Sequence, residues 1–209
     1  MIIESDVVYI NVTQEMRDLA EKWYRDRGEK YGSMYDPHLD PGKVNVLKGY
    51  IGEAVYHFCY PDAEHVDESH KDFIHFNTGI DIKTECVQYY DPKIWFQIPD
   101  QDLQRLPDIY VFMQTTYDFT QAWIFGWISH AMFVKNGTQR TKGEKRFWKE
   151  GKPDFEYLNN CKDVQVMDVF KLNMKGVVEK YNFASWWVDE VEAMKTWSPQ
   201  GACRRLKNI

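Results

Sequence analysis

Residues Lys71 to Glu85 read KDFIHFNTGIDIKTE, two strand-forming runs separated by Asn77-Thr78-Gly79. Asparagine and glycine accept the backbone settings of a tight turn, so the pattern predicts a β-hairpin with its two runs paired. Along the second run the side chains alternate: Asp81, Lys83 and Glu85 share one face, and Ile80, Ile82, Thr84 and Cys86 the other. The apolar face can enter a core, which gathers Asp72, Asp81 and Lys83 on adjacent strands. Two carboxylates and a lysine placed in this way can hold a divalent metal and activate a water.

Around the hairpin the periodicities alternate between helix and strand. Thr13 is a helix N-cap, and Met16, Leu19, Ala20, Trp23 and Tyr24 recur at helical spacing, predicting a helix over 14–27 that ends at Gly28. The glycines and prolines of Tyr31 to Gly42 read as a loop. A second helix is expected from Val44 to Cys59, with Leu47, Ile51, Ala54, Val55 and Phe58 as its stripe, Val46, Tyr50, Glu53 and His57 on its flank, and Pro61 stopping it. Strands are expected at Ile94 to Ile98, Pro107 to Gln114, Ala122 to Phe133 and Val164 to Leu172, and a helix over Phe183 to Trp197. Trp123, Phe125 and Trp127 alternate on one strand face and read as packing.

With 209 residues, 44% of them hydrophobic, the chain can bury a full core, and no repeat or long linker divides it. One domain is the expectation: a core of about 44–130, a basic segment over 135–152, and a C-terminal strand and helix over 160–209. No run approaches the roughly 18 apolar residues a membrane span needs, and the N-terminus lacks a basic region ahead of a hydrophobic one. That predicts a cytoplasmic protein with no membrane partner. Cys59, Cys86, Cys161 and Cys203 are scattered, which predicts reduced thiols rather than a zinc site or a disulfide scaffold.

Charge is uneven along the chain. The net charge is -6, yet Lys135 to Lys152 holds seven basic side chains against two acidic ones, a local +5 that leaves -11 elsewhere. Such a stretch reads equally as a solvated, mobile loop or as a phosphate-contacting one, with Arg140, Lys142, Lys145, Arg146 and Lys149 as the candidate nucleic-acid contacts. Phe147 and Trp148 inside it favour contact, since aromatic rings anchor a loop or stack on bases.

The order of these features resembles the PD-(D/E)XK nuclease superfamily: a helix bearing Gly49-Tyr50-Ile51-Gly52-Glu53, then Asp72 in an apolar strand, then Asp81-Ile82-Lys83 in the next. The resemblance covers roughly 44–130 and is to small nucleases of phage and restriction systems in particular. Lys71 stands where the family name has proline. What the resemblance implies is an α/β, restriction-endonuclease-like fold: a mixed central β-sheet flanked by helices. It also implies a metal-dependent deoxyribonuclease, an endonuclease by expectation, acting on DNA in the cytoplasm, or the host cytoplasm if the gene is a phage's, with a homodimer as one option. Asp72 and Asp81 become ligands of Mg2+, for which Mn2+ can substitute, and the Ile82 carbonyl a third. Lys83 becomes the group that orients or deprotonates the attacking water, its pKa free to move either way, and Glu53 reaches the metal shell from the helix. The competing reading is a catalytically inactive DNA-binding or protein-interaction module on the same fold.

Neighbouring polar residues carry blander expectations. Glu85 reads as a salt-bridge partner for Lys83 or a rim contact, and His57 as a packed residue. Gln97 and Gln114 read as satisfying backbone groups, and Asp108, which follows Pro107, as structural.

Overall fold

The computed structural model describes residues 7–31, 43–68, 71–75, 77–91, 94–105, 107–146 and 155–165. Its centre is a six-stranded mixed sheet built from β1 (Val8–Asn11), β2 (Glu64–Glu68), β3 (Lys71–His75), β4 (Thr78–Val87), β6 (Ile109–Thr116) and β7 (Gln121–Ser129), in the order β1-β7-β6-β4-β3-β2. Only β4 and β6 run parallel; every other neighbouring pair is antiparallel. The two parallel strands are joined through β5 (Trp95–Pro99) and a 3-10 turn, Asp102–Arg105.

Two helices cover one face of this sheet. Thr13 caps α1 (Gln14–Tyr31) by accepting from the Met16 N–H at 3.3 Å. The helix runs past Gly28, because an interior glycine costs a helix only about 1 kcal/mol and need not end it. α2 (Lys43–Cys59) presents Leu47, Ile51, Ala54 and Val55 to β4 and β6, and they join Met16, Ala20, Ile80, Ile82, Val111 and Trp127 in one core cluster. Gly52 is where helix meets sheet: a Cβ there would lie 1.9 Å from Thr84 Oγ1. A stripe with glycine at its centre brings α2 close enough to lay Glu53 against the strands.

Among the described residues, the opposite face is covered by strands and one short helix. Phe112, Phe125 and Ile128 pack there against Phe96 and Ile98 of β5, Val164 of β11 (Cys161–Gln165) and Phe133 of α3 (His130–Asn136). β5 and β11 pair with β8 (Thr138–Arg140) in a three-stranded antiparallel sheet. The strand expected through Phe133 therefore stops at Ser129, whose hydroxyl accepts from the Met132 N–H at 3.0 Å and caps α3.

A bulge also divides the three aromatics of β7. Phe112 pairs with Gly126 and Met113 with Ile124, so Phe125 is an extra residue and the alternation changes phase. Trp123 and Phe125 pack on the β5 side, while Trp127 enters the helix-side core. They are packing residues, but not on one face.

Up to Arg146 the basic segment runs from the end of α3 through two short strands joined by a turn: β8 is followed by β9 (Lys145–Arg146), which pairs with β10 (Phe155–Glu156). The strand expected over 164–172 begins earlier, at Cys161, and its part beyond Gln165, the helix expected over 183–197, Phe147, Trp148, Lys149 and Cys203 lie outside the described residues. The loop expected over 31–42 does too, apart from Tyr31, which ends α1. Cys59, Cys86 and Cys161 are free thiols, pushed by burial up to about 12, 11 and 11. Among the described residues no helix is long and apolar enough to cross a membrane.

Candidate active site

β3 and β4 form the predicted hairpin, but its turn comes earlier than Asn77-Thr78-Gly79. His75 pairs with Thr78, and Asn77 takes the left-handed setting (φ 63°) that a two-residue connection requires. Thr78 and Gly79 already belong to β4. Gly79 is pinned to β6: its N–H donates to Asp108 Oδ2 at 2.6 Å, and its carbonyl accepts from the Asp108 N–H at 2.9 Å. Asp108 thus fixes the parallel pairing, as its structural assignment anticipated.

Asp72 occupies a break in the sheet. The β3–β4 register runs only to Phe73 and Ile80, and on the other side β2 bulges, setting two residues between His65 and Glu68 against the single Asp72. Bulges of this kind re-aim side chains. The Asp72 carboxylate takes the place of the missing backbone acceptor: Oδ2 accepts from the Ile82 N–H at 2.7 Å. Because a strand residue points its N–H and C=O toward the same neighbour, the Ile82 carbonyl faces this gap too.

Asp81 and Lys83 share a face of β4, opposite Tyr110 and Phe112 of β6. Lys83 Nζ pairs with Asp81 Oδ2 at 2.8 Å, and the Asp72 carboxylate is close enough to feel the charge of Asp81. Burial raises the Asp72 pKa well above the usual carboxylate range, with the nearby charges of Glu53 and Asp81 adding to it and Lys83 opposing. Burial raises Asp81 too, against the pull of Lys83. For Lys83, burial works against the ammonium, but Asp81 and Asp72 outweigh it and the pKa rises. The two carboxylates thus favour the ammonium of Lys83, while burial favours the neutral form of each acid.

Glu53 is buried on α2 and acts on Asp72 electrostatically, while its Oε2 is held by His65 Nε2 at 3.0 Å. Trp23, Asp26, Arg27, Tyr50, Glu53, His65, Val66 and Asp72 line a cavity of about 320 Å³. Among the described residues no three His, Cys, Asp or Glu side chains are grouped to hold one metal ion. The donors that meet are Asp72 and Asp81, with the Ile82 carbonyl in the same gap. All are hard oxygens, and Mg2+ is commonly held by one or two carboxylates with waters completing its shell. Each charged acid here raises the cost of ionising the other, which a cation at the gap would relieve, so this donor set fits the ion.

The remaining expectations divide. Glu85 bonds Lys48 of α2 at 2.6 Å, because Lys83 is already taken by Asp81. His57 packs among Trp23, Phe58 and Phe73, and burial lowers its pKa. Gln114 is fully buried and exchanges two hydrogen bonds with the Asp91 backbone, at 2.8 and 3.1 Å. Arg140 is committed inside the protein: its Nε donates to Asp163 at 3.1 Å, one terminal nitrogen donates to Glu144 at 2.8 Å, and its guanidinium lies near the Trp95 and Tyr157 rings. Lys142 and Lys145 are exposed.

His65 was not foreseen. Its strand reads EHVDE, with Val66 as the one apolar residue, so no alternation marks it. The nearest signal is a histidine seven residues before Asp72, on the strand that must flank it once the hairpin is placed. Comparison with protein-family models finds no match for the chain, and comparison with curated proteins finds none either.

Proposed function

We propose that this chain is a Mg2+-dependent nuclease that hydrolyses DNA phosphodiester bonds, built on a restriction-endonuclease-like arrangement. The observation that carries the reading is the meeting of Asp72, Asp81 and Lys83 at a break in the sheet, beside Glu53 and a cavity. Hairpins with merely solvated charges do not bury one acid, Asp81, beside a second, half-buried one, since the desolvation is costly unless something compensates it.

Asp72, Asp81 and the Ile82 carbonyl would hold the ion. Bound there, Mg2+ supplies charge to the phosphate and acidifies a water. Lys83, held as an ammonium by Asp81 and Asp72, donates hydrogen bonds to the attacking water or to the phosphate oxygen that gains charge as water adds to phosphorus. The water gives its proton to solvent as it adds to phosphorus, the P–O bond to the leaving oxygen breaks, and that oxygen takes up a proton from solvent, giving one phosphate end and one hydroxyl end. The carboxylates keep Lys83 charged and aimed.

Incubation with supercoiled and linear DNA in Mg2+ or Mn2+ tests the reading. Cleavage is expected to stop with chelator and to fall by about 100-fold or more in Lys83→Ala. Cleavage indifferent to both would sink the mechanism. The inactive-module reading draws on the engagement of Glu53 by His65 and predicts DNA binding without cleavage in either metal.

A further inference from the structure

We propose that His65 is the positioning residue for Glu53, fixing the direction of its carboxylate and so the metal affinity of the site; this rests on the nuclease reading above. His65 pairs in register with Phe73, the neighbour of Asp72, and the β2 bulge begins directly after it. One distortion of the edge strand therefore sets both His65 and the gap that Asp72 fills.

Packing leaves the imidazole little freedom. It stacks on Trp23 at 3.8 Å between centroids and 6° between planes, and meets the Phe73 ring edge-on at 5.2 Å and 66°. Trp23 comes from α1, Phe73 from β3 and Glu53 from α2, so three separate elements converge on this ring. Held in that slot, Nε2 meets Glu53 Oε2 at 3.0 Å. A donor locked in one orientation fixes the rotation of the carboxylate it binds, and with it the direction of Oε1. Glu53 lines the same cavity as Asp72, one of the carboxylates that would hold the ion, so its direction sets the charge this ligand feels. Groups that orient the surroundings of a metal site are worth about 10- to 100-fold in metal affinity.

The packing and the hydrogen bond can be separated by substitution. His65→Phe keeps a ring against Trp23 and loses the donor; His65→Gln keeps a donor and loses the stack. Mn2+ affinity of the full chain, measured without DNA by electron paramagnetic resonance, is expected to fall about 10-fold or more in His65→Phe and to be largely kept in His65→Gln. In a Glu53→Gln background, His65→Phe should add little further loss, because the effect passes through Glu53. Circular dichroism melts check that each variant folds.

The opposite ranking, with phenylalanine tolerated and glutamine not, would make His65 a packing residue and overturn the proposal. Wild-type affinity in both variants would overturn it as well, leaving the nuclease reading intact. A wild-type chain that binds no Mn2+ removes both.

Discussion

At the scale of single residues, the site is a place where stability and chemistry oppose each other. Asp72 is raised in pKa by burial and by its acidic neighbours, so the folded metal-free protein holds a proton there more tightly than the unfolded chain does. The sign follows from linkage: where the folded state binds more protons, stability falls as pH rises. The stabilisation is full below the ordinary value of 3.8 and is lost as pH climbs through the raised one. Thermal melts in chelator between about pH 4 and 8 should therefore show wild type losing ground to Asp72→Asn as pH rises. Near pH 8 the variant should melt a few degrees higher, the shift that ~1 kcal/mol produces in a chain of this length. On the proposed nuclease reading the same variant should lose cleavage, and saturating Mg2+ should narrow the stability gap by favouring the deprotonated wild-type acids. Lys83 has the other sign: its raised pKa contributes stability that persists below about 10.5 and is lost only as pH rises further.

Between elements, the decisive contact is α2 on β4. Gly49 and Gly52 stand one turn apart on the same helix, and only the second faces the sheet closely. A Cβ at Gly49 meets nothing within 4 Å, whereas one at Gly52 collides with Thr84. Gly49→Ala is expected to stabilise the protein by about 0.5–1 kcal/mol through helix propensity. Gly52→Ala should destabilise it by about 1–3 kcal/mol through overpacking and should also lower activity, because moving α2 moves Glu53. Thr84 Oγ1 is buried without a hydrogen-bond partner among the described residues, so Thr84→Ala alone should cost little and should partly rescue Gly52→Ala. Chemical denaturation of wild type, the three single variants and the double variant measures these stability changes.

Across the whole molecule, the sheet is buried on both sides by unlike layers: helices α1 and α2 on one, and the β5–β11–β8 sheet with α3 on the other. Among the described residues of the basic segment, α3 and β8 belong to the second layer, and Arg140 and the lysines have different duties. Arg140 ties Glu144 to Asp163, whose carboxylate also accepts from the Tyr157 hydroxyl. Asp163 is fully buried, so Arg140→Ala would strand its charge and should cost stability by about 3 kcal/mol or more. Lys142→Ala and Lys145→Ala should leave the melting temperature unchanged. If this face follows DNA, each should weaken binding across all sequences and reduce the slope of log affinity against log salt by about 1. Fluorescence anisotropy over a salt series reads both quantities.

The sequence alone determined what local chemistry can determine: the hairpin, since Asn77 accepts a turn and the flanking runs alternate; the Glu53 helix, since its apolar residues recur with helical period; and the pairing of acids and lysine on β3 and β4. Its errors were errors of phase and termination. Gly28 did not end α1, Ser129 capped a helix inside an expected strand, and the extra residue at Phe125 sent Trp127 to the other face. Bulges and caps depend on what the backbone meets across the sheet, and no period records that. Tertiary structure alone decided that Asp72 sits in a break between two strands, that Glu85 goes to Lys48, that Arg140 is spent internally, and that a histidine on a charged edge strand reaches Glu53. These are contacts between segments distant in the chain, and their partners are fixed only when the sheet and helices close on one another.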